Sequence, residues 1–439
     1  MATRTYREIA DGIAREILVG ARPVGSRLPP QRTFAYEVGI APSTASRVYD
    51  ELRRRGLIKG RVGHGTIVAN RFARREGWLQ EPAQAAVDLE LVTPEASHAL
   101  SAELSAAAGR AAVEAGWHQA STEGTPALRA AVRADFPWMP PDAGVVFTGR
   151  GRQAVAAALT AFVRPGGRLG VEALTYPYLR AFAELRGAHL VPLAMDGEGV
   201  MPDALRQAQQ IGRLDAVYLQ PRIHNPTTRT MGPARRRAIV NTLADLNLVA
   251  IEDGVYGFLS NEPPLASEAP QLIVYVESLA KQVSPSLGHG LVVAPKLHAP
   301  AISEAARAGA WGPAPLVLAL AERLRADGLL TRLRRAKREC ARERMAMARS
   351  ALQVFDIEHA PMSCHLWWRL PDGMSANDLA LIARQDGIAI GSGAIFGSVD
   401  EPANDAARLS LTHPDQPALE AALCMLGEIV RTWGPEKHR

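Results

Sequence analysis

The sequence predicts an α/β protein that carries a small winged helix-turn-helix ahead of a larger body built on a mainly parallel sheet. Three observations predict it. Positive charge is concentrated at the N-terminal end. Within the first 70 residues a helix, a glycine turn, a second helix and a glycine-rich hairpin follow one another. From about residue 95, short apolar runs alternate with helix-sized stretches, the pattern of βα units. At 439 residues, 47% hydrophobic and 22% charged, the chain has ordinary globular composition and is too long for one compact core.

Residues 1–75 hold 15 Lys/Arg against 6 Asp/Glu, an excess of nine positive charges, so the remaining 364 residues carry a net −4. A polyanion-binding surface at the N-terminus follows. From Tyr6, Ile9, Ile13 and Ile17 recur at four-residue spacing on one helix face, and the run ends at Gly20. The stretch GSRLPPQRTFAYEVGIAPSTASRVYDELRRRGLI then reads as helix, turn, helix. Phe34, Ala35 and Val38 form the apolar side of the first. Val38-Gly39-Ile40 is the turn. Ser43 and Thr44 cap the second, whose Ala45, Val48, Tyr49 and Leu52 face inward. Ser43, Thr44, Ser46 and Arg47 are thereby offered to the major groove of double-stranded DNA. The following KGRVGHGTIVA, with Gly60, Gly63 and Gly65, reads as a basic hairpin wing. A helical cap without a nucleic-acid role is the competing reading; the coincidence of charge, turn and wing favours DNA.

Residues 69–90 show no sustained periodicity and read as a tether. Beyond it, GVVFTG, GRLGVEA, AVYLQP, LVAIED, LIVYVES and LVVAP are strand-length runs, and polar groups follow their ends. LVAIED stops at Asp253, with Tyr256 three residues on. AVYLQP leads to Asn225-Pro226, LIVYVES to Ser278 and Lys281, FTGRGRQA to Gly151 before a helix, and ALTYPY to Tyr176. An acid, a phenol, an amide, an aromatic plane, a glycine-rich helix start and one lysine are the groups that hold a phosphorylated pyridine aldehyde, and pyridoxal 5'-phosphate fits the set. A lysine beside other cations loses its proton readily and forms imines; a carboxylate keeps the ring nitrogen protonated; a helix N-terminus suits a dianionic phosphate.

Cys340, Cys364 and Cys424 have neither disulfide-framework nor metal-ligand spacing, so no metal is expected. No 18-residue apolar run occurs, and Met1 precedes a charged helix-like stretch rather than a signal peptide. A cytoplasmic protein without a membrane partner is expected.

Residues 4–70 resemble the winged-helix domain of GntR-type transcription regulators, on the Leu28-Pro29-Pro30-Gln31-Arg32 stretch, the Ser43-Thr44 pair, Leu52, Gly56-Leu57 and the wing glycines. The order of strand-end residues over about 90–435 resembles the fold-type-I aminotransferases, and the whole chain resembles a MocR-type regulator. The resemblance implies four segments: a DNA-binding winged helix (1–70), a linker (71–90), a PLP-dependent-transferase-like large domain (91–330) and a smaller C-terminal α+β domain (331–439). It implies DNA contacts from Arg32, Ser43, Thr44, Arg47, Arg61 and His64; whether Arg32 and Arg47 meet phosphate or guanine stays open. It further implies Lys281 as the imine-forming lysine, Asp253 on the pyridine nitrogen, Tyr256 and Asn225 on the ring oxygen, and Tyr176 stacked on the ring. Arg150, Gly151, Arg152 and Ser278 would form the phosphate cup, and Arg408 would pair with an effector carboxylate. The arginine-rich run 332–344 reads as a solvated helix face between large and small domains.

The chain departs from the family where an arginine usually clamps the phosphate, offering Gly288 and His289 instead, and a tyrosine before Gly124 is replaced by His118, Gln119 and Ser121. His289 is kept in the cofactor set as a single hydrogen-bond donor, and one of Arg150 and Arg152 is expected to replace the missing clamp. A homodimeric regulator that senses pyridoxal phosphate, alone or with an amino compound, and binds repeated or palindromic half-sites is the leading expectation. An active aminotransferase with an accessory DNA-binding domain is the alternative.

Overall fold

The computed structural model describes residues 5–18, 22, 26–54, 57–61, 65–68, 83, 85–92, 100–116, 121–398 and 403–433. The chain divides into two compact units, Met1–Gln80 and Glu81–Arg439.

In the first unit, α1 (Tyr6–Leu18), α2 (Gln31–Val38) and α3 (Pro42–Arg54) precede the antiparallel strands β1 (Ile58–Arg61) and β2 (Gly65–Val68). Ile9 and Ile13 of α1, Phe34 and Ala35 of α2, and Ala45, Val48, Tyr49 and Leu52 of α3 close one core. The rings of Phe34 and Tyr49 meet edge-on at 5.3 Å, and the Tyr49 hydroxyl donates to the Pro29 carbonyl at 2.5 Å. Gly39 ends α2 in the left-handed region at φ 69°, which glycine enters without Cβ strain. Val38, expected on the apolar side of α2, is 40% exposed: as the last helical residue it turns out at the cap rather than onto the core.

In the second unit, β3 (Val87–Leu89) comes first. The main sheet is built from β4 (Gly144–Thr148), β5 (Arg168–Glu172), β6 (His189–Leu193), β7 (Ala216–Leu219), β8 (Ala250–Asp253), β9 (Ile273–Ser278) and β10 (Gly290–Ala294). Their spatial order is β4-β10-β9-β8-β7-β5-β6, with β10 antiparallel to both neighbours and the other pairings parallel. The central strands are buried on both faces, which is why they read as unbroken apolar runs. Even residues of β9 (Val274, Val276) pack on one face beside the helix α4 (Gly151–Phe162), and odd residues (Ile273, Tyr275) on the other.

The short helix α5 (Leu279–Gln282) follows β9, and the long helix α6 (Leu329–Ala351) leads to a second sheet. That sheet contains β11 (Ile357–Glu358), β12 (His365–Arg369), β13 (Ile388–Ser392) and β14 (Ala406–Ser410), in the order β11-β12-β14-β13-β3. The edge strand corrects the expected linker 71–90 and the confinement of the small domain to 331–439. Val87 and Leu89 alternate around Asp88 and pair in parallel with Ile388 and Ile390. Asp88 fixes the turn that follows by accepting from the Glu90 and Leu91 amides. Residues 71–82 lie outside the described residues.

The arginine run on α6 is also less solvated than expected. Lys337 and Arg344 are buried, and Arg344 donates from Nη1 to the carbonyls of Leu411 and Pro414. Arg334 donates to Gln282 Oε1 at 2.6 Å, and Arg338 to the carbonyls of Phe258 and Ser260. The reason is geometric: a 23-residue helix spanning two sheets has buried turns along its length, and long guanidinium side chains satisfy carbonyls that lack ladder partners.

Candidate functional site

Side chains from four strand ends of the second unit converge. Asp253 closes β8, and its buried carboxylate accepts from the Tyr218 hydroxyl, from Gln220 Nε2 at 3.4 Å and from the Val255 amide at 3.0 Å. Burial raises its pKa, and the Tyr218 hydrogen bond opposes that shift. At the end of β9, Ser278 Oγ accepts from the Ala280 amide, starting α5, and donates to the His289 carbonyl at 2.8 Å. The turn so fixed carries Lys281, whose Nζ donates to the Val92 carbonyl. Burial, and next the Arg408 guanidinium, pull the Lys281 ammonium down to about 8.

Arg408, on β14, is buried. Its Nη1 donates to Asn225 Oδ1 at 3.2 Å and its Nη2 to the Glu90 carbonyl, while Nε has no hydrogen-bond partner among the described residues. Tyr256 is buried against His365, ring centroids 5.3 Å apart, and burial raises its pKa. Lys281, Asp253, Tyr256, Asn225, Tyr176 and Arg408, named from the sequence, therefore occupy one neighbourhood, linked by hydrogen bonds or by mutual electrostatic influence.

A glycine-lined cup adjoins it. A Cβ on Gly151, the first residue of α4, would stand 2.9 Å from Ser278 Cβ, and one on Gly288 would stand 2.6 Å from the Gly149 carbonyl oxygen. Both positions thus exclude a side chain because another chain segment already fills that space. The open amides at the start of α4 suit an anion. Arg150 precedes them, exposed, and its guanidinium has no hydrogen bond or ion pair among the described residues. Arg152 is committed elsewhere: its Nε donates to the Tyr176 hydroxyl at 2.7 Å, and its guanidinium lies 5.9 and 5.8 Å from the ring centroids of Tyr176 and Tyr178.

His289 corrects the expected cofactor set. It is wholly buried, its ring meets Phe147 edge-on at 5.6 Å, and burial with nearby Arg325 holds it neutral, its pKa near 3. Strand alternation explains this: Thr148, opposite Gly290, is on the α4 face, so Phe147 and His289 turn to the other.

Sequence reasoning missed the buried polar residues behind the site. Tyr218 on β7 and Gln220 just past it both donate to the Asp253 carboxylate on neighbouring β8. His224 Nε2 lies 3.3 Å from Glu172 and donates to the Leu174 carbonyl at 3.1 Å, and His365 Nε2 donates to the His224 carbonyl at 3.2 Å. The phenol within AVYLQP was the visible signal, since a strand buried on both faces seats a hydroxyl only against a partner.

In the first unit, Arg32, Ser43 and Arg47 are exposed, while Thr44 and Ser46 are half-buried along the start of α3. The Arg47 guanidinium lies 4.3 Å from the Tyr6 ring centroid. Arg61 ends β1; its side chain and the whole of His64, His118 and Gln119 lie outside the described residues.

No protein-family model matches the chain. Over 426 residues it is 26% identical to the uncharacterized HTH-type transcriptional regulator YdeF of Bacillus subtilis, covering 93% of this chain and 90% of that one. Over 293 residues it is 26% identical to the vitamin B6 salvage pathway transcriptional repressor PtsJ of Salmonella typhimurium, covering 66% and 67%. Among solved structures, the fold superposes on kynurenine aminotransferase of Pyrococcus horikoshii (TM-score 0.73, 18% identity, 85% of this chain and 96% of that one). It superposes likewise on LysN, the α-aminoadipate aminotransferase of Thermus thermophilus (TM-score 0.71, 23% identity, 82% and 96%). A winged helix ahead of a fold-type-I aminotransferase-like body, aligned along nearly the whole chain with HTH-type transcriptional regulators, is consistent with a regulator of the MocR type.

Proposed function

We propose that the protein is a DNA-binding transcription regulator whose second unit binds pyridoxal 5'-phosphate, alone or with an amino compound, as its sensing module. The observation that carries the reading is the convergence of Lys281, Asp253, Asn225 and Arg408 beside a cup from which side chains are excluded. Each group fits. Asp253 supplies a buried carboxylate for a protonated ring nitrogen, the open amides at Gly151 and the Ser278 hydroxyl suit a phosphate, and Tyr176 supplies an aromatic face. The cofactor, when bound, supplies an aldehyde that condenses reversibly with primary amines. Lys281 contributes an amine whose lowered pKa leaves a large neutral fraction near pH 8. Arg408 binds an effector carboxylate in the bidentate geometry of a guanidinium, after giving up its carbonyl partner at Glu90.

Two winged helices in a homodimer read repeated or palindromic half-sites, and an effector acts by binding two arrangements of the dimer unequally. PtsJ, a relative over two thirds of its length, is a repressor of vitamin B6 salvage, which supports a B6 compound as ligand here. Spectral titration with pyridoxal phosphate, run beside a mobility-shift assay on the promoter next to the gene, tests the reading. An imine band in the wild type that is lost in Lys281→Ala, together with specific DNA retardation, is expected. Multiple transamination turnovers without specific DNA binding would instead make the protein an aminotransferase with an accessory head.

A further inference from the structure

On the sheet face opposite Asp253 and Ser278 lies a cavity of about 430 Å³. Tyr275 and Phe258 form part of its wall, Glu277 is its one carboxylate, and four arginines line it: Arg222, Arg334, Arg335 and Arg338. Three of the four have an anionic neighbour. Arg222 lies 3.6 Å from Glu252, Arg334 lies 3.5 Å from Glu277 and 3.6 Å from Asp135, and Arg335 lies 3.1 Å from Glu339. Arg338 has none among the described residues: its guanidinium donates to the carbonyls of Phe258 and Ser260 and to the amide oxygen of Asn261, all neutral. It also stands one helical turn from Arg334 on α6. Arg222 is itself more than nine-tenths buried, with an Nε that makes no hydrogen bond among the described residues. A half-buried cation without a counter-charge, beside aromatic walls, is the complement of an anion with an apolar body.

We propose that this cavity is a second ligand site, distinct from the Lys281 pocket, that takes a small aromatic or apolar monocarboxylate with its head group on Arg338. One uncompensated positive charge selects a monoanion over a dianion. The site is wired to the first by short hydrogen bonds. Arg334 holds Gln282, the residue next to Lys281, at 2.6 Å, and Gln282 Nε2 holds the Ser278 carbonyl at 3.2 Å. Arg338 braces the turn Gly257–Leu259 that follows Tyr256. Arg222 sits three residues before Asn225 and anchors to the Tyr275 hydroxyl at 3.2 Å. A carboxylate that draws Arg338 and Arg334 toward it therefore acts on the turns carrying Lys281 and Tyr256, which makes the cavity a place for regulation.

Calorimetric titration of the full chain with benzoate, benzamide and inorganic phosphate tests the proposal. An Arg408→Gln background removes the other carboxylate site, and no cofactor is needed, so the result does not depend on pyridoxal phosphate binding. One benzoate per chain is expected, with benzamide and phosphate each at least about tenfold weaker. Arg338→Gln, which keeps a donor for the carbonyls and loses the charge, should weaken benzoate by about tenfold or more, and Arg338→Lys should restore most of the affinity. In the wild type, benzoate should slow amide exchange in Leu279–Gln282. Equal binding of benzoate and benzamide, or benzoate binding untouched by Arg338→Gln in a chain with unchanged melting temperature, would overturn it. So would sedimentation showing that Arg338→Gln changes the oligomeric state while no benzoate binds, since a second copy would then fill the cavity.

Discussion

Lys281 has two properties that reinforce each other: a position fixed by the Ser278 cap of α5 and a pKa pulled to about 8. Below that pH the amine is protonated and cannot attack an aldehyde. The rate of imine formation with pyridoxal phosphate should thus climb about tenfold per pH unit up to pH 7 and flatten above about pH 8. Stopped-flow absorbance checks it; a lysine at its ordinary value would keep climbing past pH 9. The cup yields a second expectation. Arg152 is held by Tyr176, whereas the Arg150 guanidinium has no hydrogen bond or ion pair among the described residues, and a Cβ at Gly288 would stand 3.7 Å from Arg150 Cγ. Of the two arginines, Arg150 is therefore the one we propose in place of the missing phosphate clamp. Arg150→Ala should weaken pyridoxal phosphate by about tenfold while leaving unphosphorylated pyridoxal unaffected, and Arg152→Ala should cost less. Comparing the two ligands by fluorescence titration separates phosphate binding from ring binding.

Among elements, the parallel strands were legible because burial on both faces writes them as continuous apolar runs ending in polar residues. β3 was not. Three residues with one buried aspartate between two apolar neighbours look like tether, and only the pairing with Ile388 and Ile390 distinguishes them. The arginines of α6 were misread for a related reason, since charge on a helix signals solvent unless carbonyls without partners wait nearby. Likewise His289 was assigned by its position along the chain, whereas strand alternation decides its face. Two substitutions belong at this scale. Arg344→Ala would leave the Leu411 and Pro414 carbonyls buried without their donor, so urea unfolding should show a loss of about 2 kcal/mol or more. Gly288→Ala would press on the Gly149 carbonyl and push the start of α4 off Ser278. It should lower both the melting temperature and the affinity for pyridoxal phosphate.

For the whole molecule, the charge excess in residues 1–75 predicts that retardation of promoter DNA falls steeply with salt. Arg32→Ala should abolish or strongly weaken retardation and leave the imine spectrum intact, while Lys281→Ala should keep DNA binding and lose its response to pyridoxal phosphate. A mobility-shift series over salt and ligand reads both. The two functions were legible separately because each is carried by local pattern: turn and wing glycines in one, strand-end residues in the other. The main-chain partners of the site were not legible, since backbone atoms carry no residue signature. The backbone oxygens of Glu90 and Val92, just past β3, occupy Arg408 and Lys281. Both lie within the second unit, in the short stretch 90–92. An effector whose carboxylate claims Arg408, and an aldehyde that claims Lys281, must each evict a carbonyl of that stretch. Ligand binding at Arg408 and Lys281 would therefore be felt first as two freed main-chain oxygens at the edge of the smaller sheet, which faster amide exchange around residues 90–92 on adding ligand would reveal.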